Sequence, residues 1–501
     1  MKEMDKQQGK NRLVATALNI LAQFVVIYVI LLYFNEVFIY YYAISFAISL
    51  VLCINVINKK TVPGYKIAWI LLLLGVPLFG VAIYIMLSGG IFMGIAKNKL
   101  LKITEDINEK LKTDERVDFD DEYAKMQSEY IRKYAYSPAV KNTKCRYFEG
   151  GEEYFISLIK DLRSAEKTIY MEYFIIKESF MWSEISKILV EKAAQGVDVK
   201  VIYDGVGSID RISKGELKRL KNAGIAIRSF NKFLPIISSI QNNRDHRKIC
   251  TVDTKVAYCG GINIADEYIN KDKKFGHFKD SGIALYGEAA YNFEVFFLTL
   301  WKYVSGEEVS INKPKYEEID DGIYQPYTDS PIDEEYICKN IYLNIISKAK
   351  KYVCISTPYF VVDDEMLSTI TTAAKCGVDV KIILPHIPDK KAVNQVTKSY
   401  YSELIKSGVK VYEYKNGFNH SKLVVADDCV ATVGSVNFDY RSFYLSFECG
   451  VWMYKCSGIK GVISDFNAML SDSIEICEKD CKKNIFVRIF RAILAAFAPM
   501  F

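Results

Sequence analysis

The chain of 501 residues contains four histidines: His246, His277, His386 and His420. Two of them sit in matched surroundings. DHRKICTVDTKVAYCGGIN, residues 245–263, sets His246, Lys248 and Asp253 at H-x-K-x4-D spacing, followed by a glycine pair and Asn263. NHSKLVVADDCVATVGSVN, residues 419–437, repeats the layout with His420, Lys422, Asp427, Gly434, Ser435 and Asn437. A lone histidine is usually a satisfied structural residue, but two in the same context point to catalysis. Imidazole acts as a nucleophile and as a general acid or base near neutral pH. On a strand, residues i and i+2 share a face, so H-x-K predicts that His246 projects with Lys248 and His420 with Lys422. Two ammoniums plus the amides of Asn263 and Asn437, with Ser435 beside them, suit a phosphate diester. No carboxylate cluster or histidine tract suggests a metal, and the lysines can neutralise the charge a metal would. No cofactor is expected.

These residues need two scaffolds of the same kind, and the chain repeats itself accordingly. AEKTIYMEYFII (165–176) resembles AKKYVCISTPYFVV (349–362), and AAQGVDVKVIYD (193–204) resembles AAKCGVDVKIILP (373–385). LKNAGIAIRSF (220–230) resembles LIKSGVKVYEY (404–414). In each pair a helix stops at a glycine (Gly196 and Gly377, Gly224 and Gly408) and a β-rich run follows. The pattern predicts two α/β halves with mixed sheets, over 142–315 and 316–483. A pseudo-two-fold arrangement would bring one motif from each half into a shared cleft.

Three uncharged apolar runs precede these halves, at 13–33, 37–57 and 67–88. Each has about 21 residues, enough for a helix to cross about 30 Å of hydrocarbon. They are too long and too many for a signal peptide. Residues 1–92 therefore read as a multi-pass membrane segment, and the charged stretch 93–141 as a polar helical linker. The positive-inside rule places Lys2, Lys6, Lys10, Arg12, Lys59, Lys60 and Lys66 inside. With three spans the rest of the chain lies outside. A re-entrant first or second run reverses the side, and the twelve cysteines, scattered without C-x2-C pairs, agree with the reversal. FLPII (233–237) and the chain end 484–501, with Arg488 and Arg491 on one side of an apolar helix, suit contact with a lipid surface. The net charge of +5 fits an anionic membrane and is too weak to signal nucleic acid. Half of the residues are hydrophobic and a quarter charged, which excludes a disordered chain.

The paired H-x-K-x4-D-x6-G-[GS]-x-N motifs resemble the phospholipase D superfamily. The apolar N-terminus, FNKFLP, TPYFVVDDEM and GSVNFDYRSFYLSFE resemble its bacterial cardiolipin synthases. That resemblance implies a bacterial plasma-membrane phosphatidyltransferase acting on phosphatidylglycerol. One histidine attacks phosphorus to form a phosphatidyl-histidine, and the other protonates the departing glycerol, then activates a second phosphatidylglycerol. By similarity His246 is the nucleophile and His420 the acid, then base. Lys248, Lys422, Asn263 and Asn437 would bind phosphate. Asp253 and Asp427 complete the catalytic signature, although five residues past the lysine they are placed to brace turns. The family also implies acids that orient the imidazoles, at Asp280 and Glu448. Phe278 stands where its pattern has Trp. A phospholipase D-type hydrolase of membrane phospholipid is the rival reading. A nuclease would need no membrane runs and a more basic surface.

Overall fold

The computed structural model describes residues 35–59, 61–87, 91–108, 116–231, 242–333, 335–481 and 484–498. The 13–33 run and FLPII lie outside them.

The first half builds strands β1 (Thr143–Phe148), β2 (Thr168–Tyr173), β3 (Asp198–Asp204), β4 (Ala226–Phe230), β5 (Arg244–Asp245), β6 (Lys248–Val252), β7 (Val256–Gly260), β8 (His277–Lys279) and β9 (Gly282–Gly287). The second builds β10 (Ile323–Asp329), β11 (Tyr352–Ser356), β12 (Phe360–Val361), β13 (Asp379–Pro385), β14 (Lys410–Tyr414), β15 (Gly417–Asn419), β16 (Leu423–Ala426), β17 (Val430–Gly434), β18 (Phe438–Asp439), β19 (Ser446–Tyr454) and β20 (Ser473–Ile476). The first sheet runs β1-β9-β7-β6-β2-β3-β4 and the second β10-β19-β17-β16-β11-β13-β14, with β20 added at its edge. The order matches strand for strand. So do the directions: β2 with β3 and β3 with β4 are parallel, as are β11 with β13 and β13 with β14, while the other pairs along both paths are antiparallel. The expected pair of mixed α/β sheets is therefore present.

The repeats place these strands by simple means. Helix Phe180–Ala194 feeds β3 through Gly196, and helix Asp364–Lys375 feeds β13 through Gly377. Both glycines have left-handed φ, +89° and +96°, where an L side chain is strained. The β-rich segments that follow bury their aliphatic residues beneath the helices. A third cluster joins the halves: Ile249, Ala257, Cys259 and Leu285 pack with Leu423, Val433, Cys449 and Val451. The two sheets thus meet face to face, and the site lies where they meet.

Before the sheets, helix Ile91–Asn108 buries Leu100 against Phe297, Leu298 and Trp301. Helix Glu122–Tyr134 packs on the second half, where Gln127 Nε2 donates to the Ile341 carbonyl at 3.0 Å and Trp452 Nε1 donates to Gln127 Oε1 at 2.9 Å. The stretch read as a polar linker is thus docked on the body at both helices.

Among the described residues one helix, over Tyr40–Asn58, is long and apolar enough to cross a membrane. The third run does not form a single span. It breaks into helices Pro63–Gly75 and Pro77–Leu87, since Pro77 offers no N–H and forces Val76 out of the helical region (φ −140°, ψ 69°). The two pieces pack tightly at Gly80, where a Cβ would come within 2.5 Å of the Leu72 carbonyl oxygen.

Candidate active site

Each motif histidine follows a short strand that crosses to the opposite half. β5 pairs in parallel with Ser446 and Phe447 of β19, and the His246 N–H donates to the Phe447 carbonyl at 2.9 Å. Reciprocally, β15 pairs in parallel with β8, and the His420 N–H donates to the Lys279 carbonyl at 2.7 Å. The residue after each accepting carbonyl is an acid: Glu448 after Phe447, Asp280 after Lys279. The register therefore hands each imidazole to a carboxylate of the other half. His246 Nδ1 lies 2.9 and 3.0 Å from the two Glu448 oxygens, and His420 Nδ1 lies 2.7 Å from Asp280 Oδ2. Both acids are fully buried. A carboxylate on Nδ1 fixes the tautomer and ring direction, leaving Nε2 for chemistry.

The histidines are not strand residues. β6 starts at Lys248 and β16 at Leu423, so both imidazoles project from the turn before the strand. His and Lys stay coupled by a local bond instead: Lys248 Nζ donates to the His246 carbonyl, and Lys422 Nζ to the His420 carbonyl. Both lysines are completely buried, and among the described residues neither forms an ion pair. Burial lowers the Lys248 pKa and brings Lys422 down to about 7. Burial also holds His246 well below the ordinary imidazole range, reinforced by Lys248 and Lys422. His420 falls to about 4, from burial and Lys422, against the pull of Asp280. Burial raises Glu448 to about 7, opposed by Lys248. These shifts favour neutral imidazoles beside under-compensated ammoniums. An entering phosphodiester anion offsets the lysines, which lifts the imidazole pKa values toward those of a working acid.

The other predicted residues sort by position. Asp253 accepts from the backbone N–H groups of Glu166, Lys167 and Thr168 at 2.7–2.8 Å, and Asp427 from those of Lys350, Lys351 and Tyr352 at 2.6–3.0 Å. They tie the far ends of β6 and β16 to the starts of β2 and β11. Their place among the catalytic residues is corrected to that of turn braces. Ser435, expected at the substrate, is fully buried behind Glu448: its Oγ donates to Glu448 Oε2 and accepts from the Cys449 N–H at 3.0 Å. Asn263 is engaged at both ends, accepting from the Ile175 N–H at 3.0 Å and donating to the Tyr268 hydroxyl at 2.7 Å. Asn437 has a buried Oδ1 with no hydrogen-bond partner among the described residues. The two remaining histidines are paired elsewhere, His277 with the Tyr414 hydroxyl and His386 with Glu413.

The cardiolipin synthase, PLD-like domain family matches residues 158–301 and 342–470, so that both copies are covered. A Phospholipase_D-nuclease N-terminal family matches 47–89. Cardiolipin synthase 2 of Bacillus anthracis is 36% identical over 72% of this chain and 71% of its own. The cardiolipin synthase of Alkalihalophilus pseudofirmus is 33% identical over 83% of this chain and 84% of its own. The chain belongs to the cardiolipin synthase family of the phospholipase D superfamily. In fold it is similar to phosphatidylserine synthase of Haemophilus influenzae, with a TM-score of 0.55 at 13% identity, covering 75% of this chain and 98% of that one.

Within this family frame, several site residues carry signals the motif alone does not show. Gly261 and Ser435 hold the same motif position. A Cβ at Gly261 would fall 2.1 Å from Asp280 Oδ1, so glycine makes room for the short acid, while Ser435 supplies a hydroxyl to the longer one. The middle residue of each H-x-K also reaches across: Ser421 Oγ lies 2.8 Å from Ser281 Oγ, and Arg247 Nη1 donates to Thr328 Oγ1 at 3.2 Å. Aromatic rings line the imidazoles. Phe174 meets His246 edge-on at 5.1 Å between centroids; Tyr268, Phe278 and Phe418 surround His420 at 5.5, 5.3 and 5.8 Å. Phe278 packs on the ring that Asp280 orients.

Proposed function

We infer that this protein is a cardiolipin synthase, transferring a phosphatidyl group from one phosphatidylglycerol to another with release of glycerol. The observation that carries the reading is the crossed histidine–carboxylate pairing around two buried lysines, in a chain aligned over most of its length with cardiolipin synthases. His246 Nε2 attacks the donor phosphorus, and the bond from phosphorus to the headgroup glycerol oxygen breaks. His420, protonated at Nε2 and held by Asp280, gives its proton to that oxygen. The second phosphatidylglycerol then loses its headgroup hydroxyl proton to His420. Its oxygen attacks phosphorus, the P–N bond breaks, and His246 is restored with cardiolipin as product. Lys248, Lys422 and Asn437 hold the phosphate, and Glu448 orients and stabilises the His246 ring through the covalent stage.

The two motifs work as one site on an approximate two-fold axis, which the matched sheet order and the reciprocal β5–β19 and β8–β15 pairings support. The N-terminal segment anchors the enzyme in the bacterial plasma membrane by more than one span. Helix Ile485–Ala496 would lie on the same surface: Ile485, Phe486, Ile489, Phe490 and Ile493 are exposed, while Leu494, Ala495 and Ala498 pack with Val361 and Val396. Arg491 Nε fastens it to Gln395 Oε1 at 3.1 Å.

The test is direct. Purified full-length protein in phosphatidylglycerol vesicles should yield cardiolipin and glycerol in equal amounts. Phosphatidic acid in place of cardiolipin would assign a hydrolase. His246→Ala and His420→Ala should each abolish transfer, and activity surviving either change would refute the shared site.

A further inference from the structure

Cardiolipin formation puts two phosphodiesters at one site. The first is attacked by histidine, and the second arrives on the acceptor, separated from the attacking oxygen by one glycerol. The residues assigned above serve the first. Resting on that reading of the reaction, we propose that Arg441 and Lys390 bind the phosphodiester of the acceptor phosphatidylglycerol.

The two halves share a fold but differ in charge here. Arg441 lies four residues past Asn437, on the short helix Tyr440–Tyr444. The matching position four residues past Asn263 is Glu267, which is paired with Lys177 at 3.1 Å. An anion-binding side chain is thus present on one flank of the site and replaced by an acid on the other, as a donor–acceptor distinction requires.

Arg441 is held toward the site. Its Nη1 and Nη2 donate to the carbonyl and side-chain oxygens of Asn242 at 3.2 and 3.3 Å, in the segment that leads into β5 and His246. Among the described residues the other guanidinium N–H groups donate to nothing. The side chain is half-buried, and among the described residues no carboxylate forms an ion pair with it. The segment 232–241 contains no Asp or Glu that could do so. Nearby Asp439 accepts from the Ser442 N–H at 2.7 Å as the helix cap. Burial disfavours the charged guanidinium, against the longer-range attraction of Asp439 and Asp204; an anionic ligand in direct contact would return that cost, and the planar fork fits a phosphodiester.

Lys390 stands on the His420 side. Its Nζ lies 4.8 Å from the centre of the Tyr359 ring; Tyr359 packs on Phe418, and Phe418 on His420. It is exposed, and among the described residues it too lacks an ion pair. Both cations face the same centre: after burial, Lys248 and Lys422, the charges of Lys390 and Arg441 also favour a neutral His246. Asn437, buried with an unpartnered Oδ1, offers an acceptor for a glycerol hydroxyl between the two phosphates.

The experiment compares two acceptors on the same phosphatidyl-enzyme. Radiolabelled free glycerol exchanging into phosphatidylglycerol needs no acceptor phosphate; cardiolipin formation does. In full-length Arg441→Gln the ratio of cardiolipin formed to glycerol exchanged should fall ten-fold or more, with recovery in Arg441→Lys. Lys390→Gln should lower the same ratio at least three-fold, and its exposed position keeps that variant informative if Arg441→Gln does not accumulate. An unchanged ratio, or a parallel loss of both reactions, overturns the proposal. Wild-type protein that exchanges glycerol but makes no cardiolipin would instead overturn the functional reading on which it rests.

Discussion

Replacing Asp280 by Asn should cripple His420 while sparing attack by His246 on a donor whose leaving group needs no acid, although Asp280 and His246 belong to the same half. The Asp280 carboxylate is fully buried and 2.7 Å from His420 Nδ1. When His420 is an imidazolium, two opposite charges lie about 4 Å apart, worth about 4 kcal/mol at an effective dielectric of about 20. At roughly 1.4 kcal/mol per ten-fold, loss of that attraction slows steps that need protonated His420 by about a thousand-fold. The assay uses a phosphatidyl ester of p-nitrophenol, whose leaving group departs without an acid. Asp280→Asn should keep a stoichiometric burst of p-nitrophenol and lose transfer to lipid. Glu448→Gln, which strikes the ring of His246, should lose the burst itself. Equal bursts in the two variants, or a burst lost only in Asp280→Asn, would refute the crossed assignment of acids to histidines.

Lys422→Met should move the acid limb of the pH profile of kcat/KM upward. Lys422 depresses both imidazoles, so removing its charge raises their pKa values and leaves less neutral nucleophile at low pH. Asp253→Ala should cost about 2 kcal/mol of stability, seen as a lower Tm, because three backbone N–H groups lose their acceptor; turnover per folded molecule should persist. Phe486→Glu with Phe490→Glu should weaken co-sedimentation with phosphatidylglycerol vesicles while hydrolysis of a soluble phosphodiester is retained. Gly80→Leu should open the pair of helices Pro63–Gly75 and Pro77–Leu87, since the new Cβ meets the Leu72 carbonyl, and should increase protease cleavage near their junction at Val76.

The duplicated sheets were legible because helix stops and β-rich runs recur in the same order, and local patterns of that kind survive folding. The crossed acids were legible as positions but not as partners. Asp280 follows His246 in sequence and serves His420, because the pairing is made by two- and three-residue strands, β5 and β8, too short to leave any periodicity. The strand assignment of H-x-K failed for the same reason: a two-residue cross-half ladder takes up the chain before His246, and the longer strand opens only at Lys248. Ser435 looked like a phosphate donor from its motif position, while its role depends on the greater length of Glu448 relative to Asp280, which only the packed site displays. The broken 67–88 run was marked by Pro77, a residue that a spanning helix tolerates and that here ends one helix and begins another.

Two copies of one motif supply two histidines, and a transfer reaction needs them to differ. Each has one orienting acid and one buried lysine, so beyond the longer Glu448 the surroundings supply the difference. His420 sits among Tyr268, Phe278 and Phe418 with a tenth of its side chain exposed, whereas among the described residues His246 meets the Phe174 ring and is somewhat more open. A base enclosed by rings activates an alcohol that displaces water from the pocket better than it activates water itself. With His420 as the acid–base histidine proposed above, the base lies on the dry side, near Tyr359 and Lys390, where a lipid headgroup would enter with its own counter-charge. Substituting Phe278 by Ala therefore tests partition rather than rate, and should raise the share of phosphatidic acid among the products at the expense of cardiolipin.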